Sequence, residues 1–136
     1  MDTPATQPRT EGPGPAPPGR HPRLWEIAAR YWDLELEASP TSATLLGVHD
    51  HDDRLEDLSE EEEHRHRDRL DHLRAEVTAL APAELSVADR VTRALLVHQI
   101  DTSVEALDLR LTELSSDHMD GPHAMLLMVA PQLTYP

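Results

Sequence analysis

The chain has 136 residues, 26 of them acidic against 12 basic for a net charge of -14, and it contains no cysteine. That length accommodates one small domain with a modest core. The charge argues against a nucleic-acid backbone or an anionic membrane surface as partner, and the lack of cysteine removes both a disulfide framework and a thiolate zinc site.

Seven of the twelve prolines and three of the five glycines fall in residues 1–22. That stretch offers too little apolar surface to offset the entropy of ordering it, so it reads as a disordered Pro/Gly-rich arm. A proline-rich ligand for a partner's groove is the weaker alternative. The first thirty residues lack the apolar centre of a secretory leader, and the apolar run Met125 to Ala130 is far too short to span a bilayer. A cytoplasmic protein is expected.

From Leu24 the pattern becomes helical. Leu24, Ile27, Ala28, Tyr31 and Leu34 repeat at three and four residues, and Trp25, Ala29, Trp32 and Leu36 form a second stripe beside the first. A helix apolar over so wide an arc packs against more than one neighbour, and both tryptophans are expected in the core. "SPTSATLLG" predicts a short second helix, with Ser39 as N-cap, Pro40 at the first helical position and Gly47 just past the end.

"GVHDHDD", residues 47–53, is the stretch that most resembles a site. His49 and His51 would point the same way along an extended segment, and Asp52 could add an oxygen ligand, so these three are the candidate metal ligands. Against a metal stand the short loop setting, with no rigid frame, and the neighbouring carboxylates, which favour imidazolium over a metal-binding imidazole. The reading favours a solvated loop.

"LSEEEEHRHRDRLDHLRAEVTAL" opens with Ser59 and Glu62 in a capping-box arrangement and four glutamates in the first turn. Its apolar stripe, Leu70, Leu73, Val77 and Leu80, occupies only the second half. The first two turns are therefore expected in water, supported by Glu61 with Arg65 and Glu63 with Arg67. His64, Asp68 and His72 share one face at a spacing that bundle metal sites use, but that face is charged throughout and lacks an apolar wall. A break at Pro82 precedes a helix from Ser86 to about Ser115, along Val87, Val91, Leu95, Val104, Leu107, Leu111 and Leu114. Thirty residues would make a rod of roughly 45 Å. His98 and Asp101 are a possible acid-base pair on it, with a histidine satisfied by its neighbour as the commoner case. Near the end, Asp120, Gly121 and Pro122 signal a turn before Met125 to Ala130, a run that no later element is placed to cover. The expected partner for it is either the remainder of a longer polypeptide or a second copy of the chain. No nucleophile elbow, phosphate loop or His-Glu zincin motif occurs. The expected fold is all-α, an incomplete antiparallel helical bundle, with residues 23–136 as the helical region.

The string "YWDLELEASPTSATLLGVHDHDDRLEDLS" resembles the opening of the bacterial domain of unknown function family 885, large helical proteins that look related to zinc metallopeptidases. The likeness runs through the aromatic-rich first helix, Pro40 to Gly47, His49, Asp52, Leu55 and Asp57 to Ser59, and more loosely through "SVADRVTRALL" and "MDGPHAMLLM". It covers most of residues 24–136 and is most specific from Pro40 to Ser59. Members of that family are several times longer, and their proposed metal ligands lie in a later His-Glu segment with no counterpart here. The resemblance therefore implies the N-terminal helical piece of a metal-dependent, peptidase-like hydrolase, with zinc in full-length relatives, no cofactor in this chain and no catalytic residue to carry over. His51 falls where the family pattern suggests an aromatic. A free-standing acidic helical interaction module is the alternative.

Overall fold

The computed structural model describes residues 16–114 and Leu127. Its elements are α1 (Pro22–Ala38), α2 (Pro40–Leu45), α3 (Glu60–Ala79), a 3-10 turn (Pro82–Glu84), α4 (Val87–Asp108) and α5 (Leu111–Leu114). Among the described residues there is no strand, and the all-α expectation holds.

Local chemistry explains most boundaries. α1 begins two residues earlier than expected because His21 serves as its N-cap, its ring Nδ1 accepting from the Leu24 amide at 3.3 Å, with Pro22 next at the first turn. The final part of the expected arm is thereby tied down: Arg20 lies 3.6 Å from Asp89 of α4, and residues 1–15 lie outside the described residues. The Ser39 side chain makes no capping bond to α2. That role passes to a distant carboxylate, Glu56, which accepts from the Thr41 amide at 3.1 Å and from the Thr41 hydroxyl at 3.0 Å. α2 ends in a Schellman arrangement. Gly47, at φ +82°, donates to the Thr44 carbonyl, Val48 donates to the Ala43 carbonyl, and Val48 and Ala43 pack with Leu36 of α1. Ser59 and Ser86 cap α3 and α4 through the amides of Glu62 and Asp89.

Side-chain pairs give the topology. Arg93 reaches the carbonyls of Val77 and Thr78, Arg74 pairs with Asp101, and Arg67 with Asp108, so α4 runs antiparallel to α3. Arg30 with Glu76 and Arg69 with Glu37 make α1 antiparallel to α3 as well. The result is an up-down-up three-helix bundle, with its most extensive contact between α3 and α4. Its core comprises Leu24, Ile27 and Leu34 from α1, Leu70, Leu73 and Val77 from α3, and Leu96 and Ile100 from α4.

Several expectations are corrected. The 30-residue rod is a 22-residue helix of roughly 33 Å. It stops because Arg110 turns left-handed at φ 51°, a conformation that few side chains adopt and that sequence gives no reason to place here. The Arg110 guanidinium pairs instead with Glu60, at 3.1 Å, and with Glu113. Val87, Val91 and Leu95 do not belong to the core stripe; they stand on the opposite side of α4, with Val91 56% and Leu95 59% exposed, while the buried stripe runs through Leu96 and Ile100. Trp32 is exposed and Trp25 only half-buried, so neither tryptophan belongs to the buried core. Arg65 pairs with Glu62 and Arg67 with Asp71 and Asp108, so neither of the expected glutamate pairs forms. Of Met125 to Ala130, Leu127 alone is described, and it is exposed.

The two faces of α4 make a direct comparison. Ile100→Ala should lower stability by about 2–5 kcal/mol through lost burial and a cavity, whereas Val91→Ala should stay within about 0.5 kcal/mol. Urea unfolding of the two variants checks this, and similar losses would place Val91 in a packed interface.

Candidate functional site

"GVHDHDD" follows the Gly47 turn as an ordered loop. His49 Nδ1 lies 2.9 Å from Asp52 Oδ2, and the Thr44 hydroxyl donates to Asp52 Oδ1 at 2.7 Å. The Thr44 bond and, after it, the His49 contact hold the Asp52 carboxyl below its ordinary range. His51 is engaged elsewhere: Arg54 donates to its Nδ1 at 2.6 Å, which occupies the ring's acceptor and sets a fixed positive charge beside it. Of the three candidate ligands, the fold thus brings His49 and Asp52 together as a loop staple and turns His51 toward a cation. Among the described residues, no group of three or more histidine, aspartate or glutamate side chains is placed to hold a metal ion.

The other sequence candidates separate. His64 donates through Nδ1 to the Glu60 carbonyl at 2.6 Å, and His72 lies 3.3 Å from Glu76. Asp101 pairs with Arg74 on α3 while His98 is exposed, so these two do not form an acid-base pair.

A different cluster occupies the N-terminal half of the bundle. Counting back four from Leu70 along the α3 stripe reaches His66, whose side chain is only 13% exposed. Counting on four from Tyr31 along α1 reaches Glu35. The fold brings these together: His66 Nε2 is 3.8 Å from Glu35 Oε1, an oxygen closed off from solvent without a hydrogen-bond partner. Tyr31 stands beside Ser103 of α4 and the Glu35 carboxyl and interacts with each. Burial raises the Glu35 carboxyl above its ordinary 4.5, only partly offset by Tyr31. Burial, reinforced by the nearby Arg69 charge, lowers His66 below its ordinary 6.5. The signal was available in the stripe positions, but only tertiary packing makes two polar residues neighbours.

Over this cluster lies a groove of about 600 Å³ between the end of α1, the 48–59 loop, the start of α3 and Leu107 of α4. His66 forms part of its floor, and Leu55 and Leu58 form its lips. The first turns of α3 are therefore one wall of a groove rather than a free projection into water.

The comparisons place this chain. The model of the bacterial protein family of unknown function DUF885 matches residues 40–135, well over half of the sequence, and so spans α2, the histidine loop, α3 and α4. The chain belongs to the DUF885 family. No curated protein matches it, and no solved structure matches it. Within this DUF885 chain the matched stretch from Pro40 to Ser59 builds the α2 Schellman turn, the Asp52 staple and the Glu56 cap.

Two measurements follow. Glu35 has its folded pKa raised, so its contribution to stability is complete below pH 4.5 and is lost as pH rises through the folded value. Glu35→Gln should therefore raise the melting temperature by a few degrees at pH 7, with the gain vanishing near pH 4; a constant gain at both would show that its ionisation is not the cause. Calorimetric titration with zinc at neutral pH should show no binding tighter than about micromolar, equivalent to roughly 8 kcal/mol. Tighter binding abolished by His49→Ala with His51→Ala would reveal a loop metal site.

Proposed function

We propose that this DUF885 chain acts as a non-catalytic helical region of a metal-dependent, peptidase-like hydrolase, forming part of the wall around the catalytic cleft rather than supplying its chemistry. The observation that carries the reading is the double-sided apolar character of α4. Leu96 and Ile100 are buried in the bundle, while Val87, Val91 and Leu95 form an i, i+4, i+8 stripe on the opposite side. A helix with two apolar faces belongs between two layers. In the longer family members that the sequence resembles, the layer carrying the His-Glu segment is the natural cover for the outer face. Zinc would belong to that layer, and no residue of this chain is assigned to it.

The acidic surface and the absence, among the described residues, of any helix long and apolar enough to cross a membrane agree with a setting away from nucleic acid and bilayer. A cytoplasmic location is part of the proposal. The rival, an independent acidic interaction protein, would use the same α4 face for a separate partner.

The purified chain, supplied with zinc, should hydrolyse no peptide substrate, and zinc-dependent turnover would overturn the non-catalytic role. Val91→Ser with Leu95→Ser should reduce self-association seen by light scattering while leaving the melting temperature within a few degrees. Reading the gene beyond the Pro136 codon decides between the two roles: an in-frame His-Glu segment supports the hydrolase wall, and a stop codon favours the interaction protein.

A further inference from the structure

The groove above His66 combines two features that no single simple ligand satisfies. Its lips, Leu55 and Leu58, are 76% and 60% exposed, and half-buried Leu107 continues the apolar surface inward. Its walls carry Glu37, Asp57, Glu62 and Glu63 against Arg54. Glu37 is engaged by Arg69 and Glu62 by Arg65. Glu63 is in no salt bridge among the described residues, and Asp57 accepts from the Ser59 amide at the head of α3. Arg54 is directed at His51, and the depressed pKa of His66 keeps the floor uncharged at neutral pH. The local field is therefore negative, in a chain whose net charge is already -14.

We propose that this groove binds a cationic amphipathic peptide segment, with an arginine or lysine side chain between Asp57 and Glu63 and flanking leucine-sized side chains on Leu55, Leu58 and Leu107. A small polycation would neutralise the walls but leave the leucines in water. A purely apolar ligand would desolvate the carboxylates without pairing them. Only a segment that alternates charge with apolar bulk meets both demands, and the room of about 600 Å³ suits a few side chains rather than a folded surface. The loop that carries the lips is held in place by Glu56 on Thr41 and by Asp52 on Thr44, so the groove is preformed. This site lies apart from the outer face of α4 and does not depend on the hydrolase reading.

The test titrates the full chain with acetyl-Leu-Arg-Leu-Arg-Leu-amide, its glutamate counterpart acetyl-Leu-Glu-Leu-Glu-Leu-amide, and spermine, following backbone amide shifts by NMR. The arginine peptide should bind, shifting the amides of Leu55, Leu58 and Glu63. Asp57→Asn with Glu63→Gln should weaken it by about fivefold or more, as should Leu55→Ser with Leu58→Ser, since charge pairing and apolar contact both contribute. Leu55, Asp57 and Leu58 are exposed and Glu63 is half-buried, and unchanged circular dichroism confirms that the variants fold. The proposal is overturned by no binding, by equal binding of the glutamate peptide, by spermine binding as tightly as the arginine peptide, by insensitivity to either double variant, or by shifts centred on Val87, Val91 and Leu95.

Discussion

The constraint on which this bundle depends is the shortage of apolar side chains on α3. In twenty residues it buries only Leu70, Leu73 and Val77, all in its second half. α1 and α4 must therefore bring their own buried residues to that level. They do so with Leu24, Ile27 and Leu34 on one side and Leu96 and Ile100 on the other. At roughly 1.5 to 3 kcal/mol for each fully buried side chain, these eight contacts supply the main force holding three helices together. Above that level α3 presents His66 where the stripe would call for leucine, and the bundle interior becomes polar. The Tyr31, Glu35, His66 and Ser103 cluster, and the groove over it, are direct consequences of where the apolar stripe stops.

Charge acts on register rather than on gross stability. Arg23 and Arg30 grip Glu76, Arg69 grips Glu37, Arg74 grips Asp101, and Arg67 grips Asp108. These are largely exposed pairs, and each contributes at most about 1 kcal/mol. Their value is geometric, because the arginine fork bonds directionally and the pairs are spread over several levels of neighbouring helices. A chain with arginine as its only cation uses them as rungs between helices whose core alone would tolerate sliding. Asp89 is the buried exception, 4% exposed, held by the Ser86 hydroxyl and by Arg20. It couples the start of α4 to the residues just ahead of α1.

The two surfaces left over by this packing differ in character. The outer face of α4 is a plain apolar stripe on a regular helix, suited to another helix or layer. The groove beside His66 is small, mixed in polarity and framed by a loop with its own anchors. That loop lies within residues 40–135, which match the DUF885 family. Its glycine, threonines and acids are accounted for by the Schellman turn, the Asp52 staple and the Glu56 cap, without invoking a metal.

Helix existence and the helix ends at Ser59, Ser86 and Gly47 were determined by local sequence, because periodicity, Ser59, Ser86, Pro40 and Gly47 act within one or two turns. Family membership was legible for the same reason, in the contiguous stretch from Pro40 to Ser59. Tertiary structure alone decided which stripe of α4 is buried, since Val91 and Ile100 are equally apolar and only the position of α3 separates them. It also decided that Arg110 ends α4, because its left-handed backbone occurs alongside pairing to Glu60, fifty residues away. The meeting of Glu35 with His66 was likewise settled by packing. Neither residue carries a local signal for the other, and the absence of an apolar side chain from α3 at that level becomes a site only when three helices enclose it.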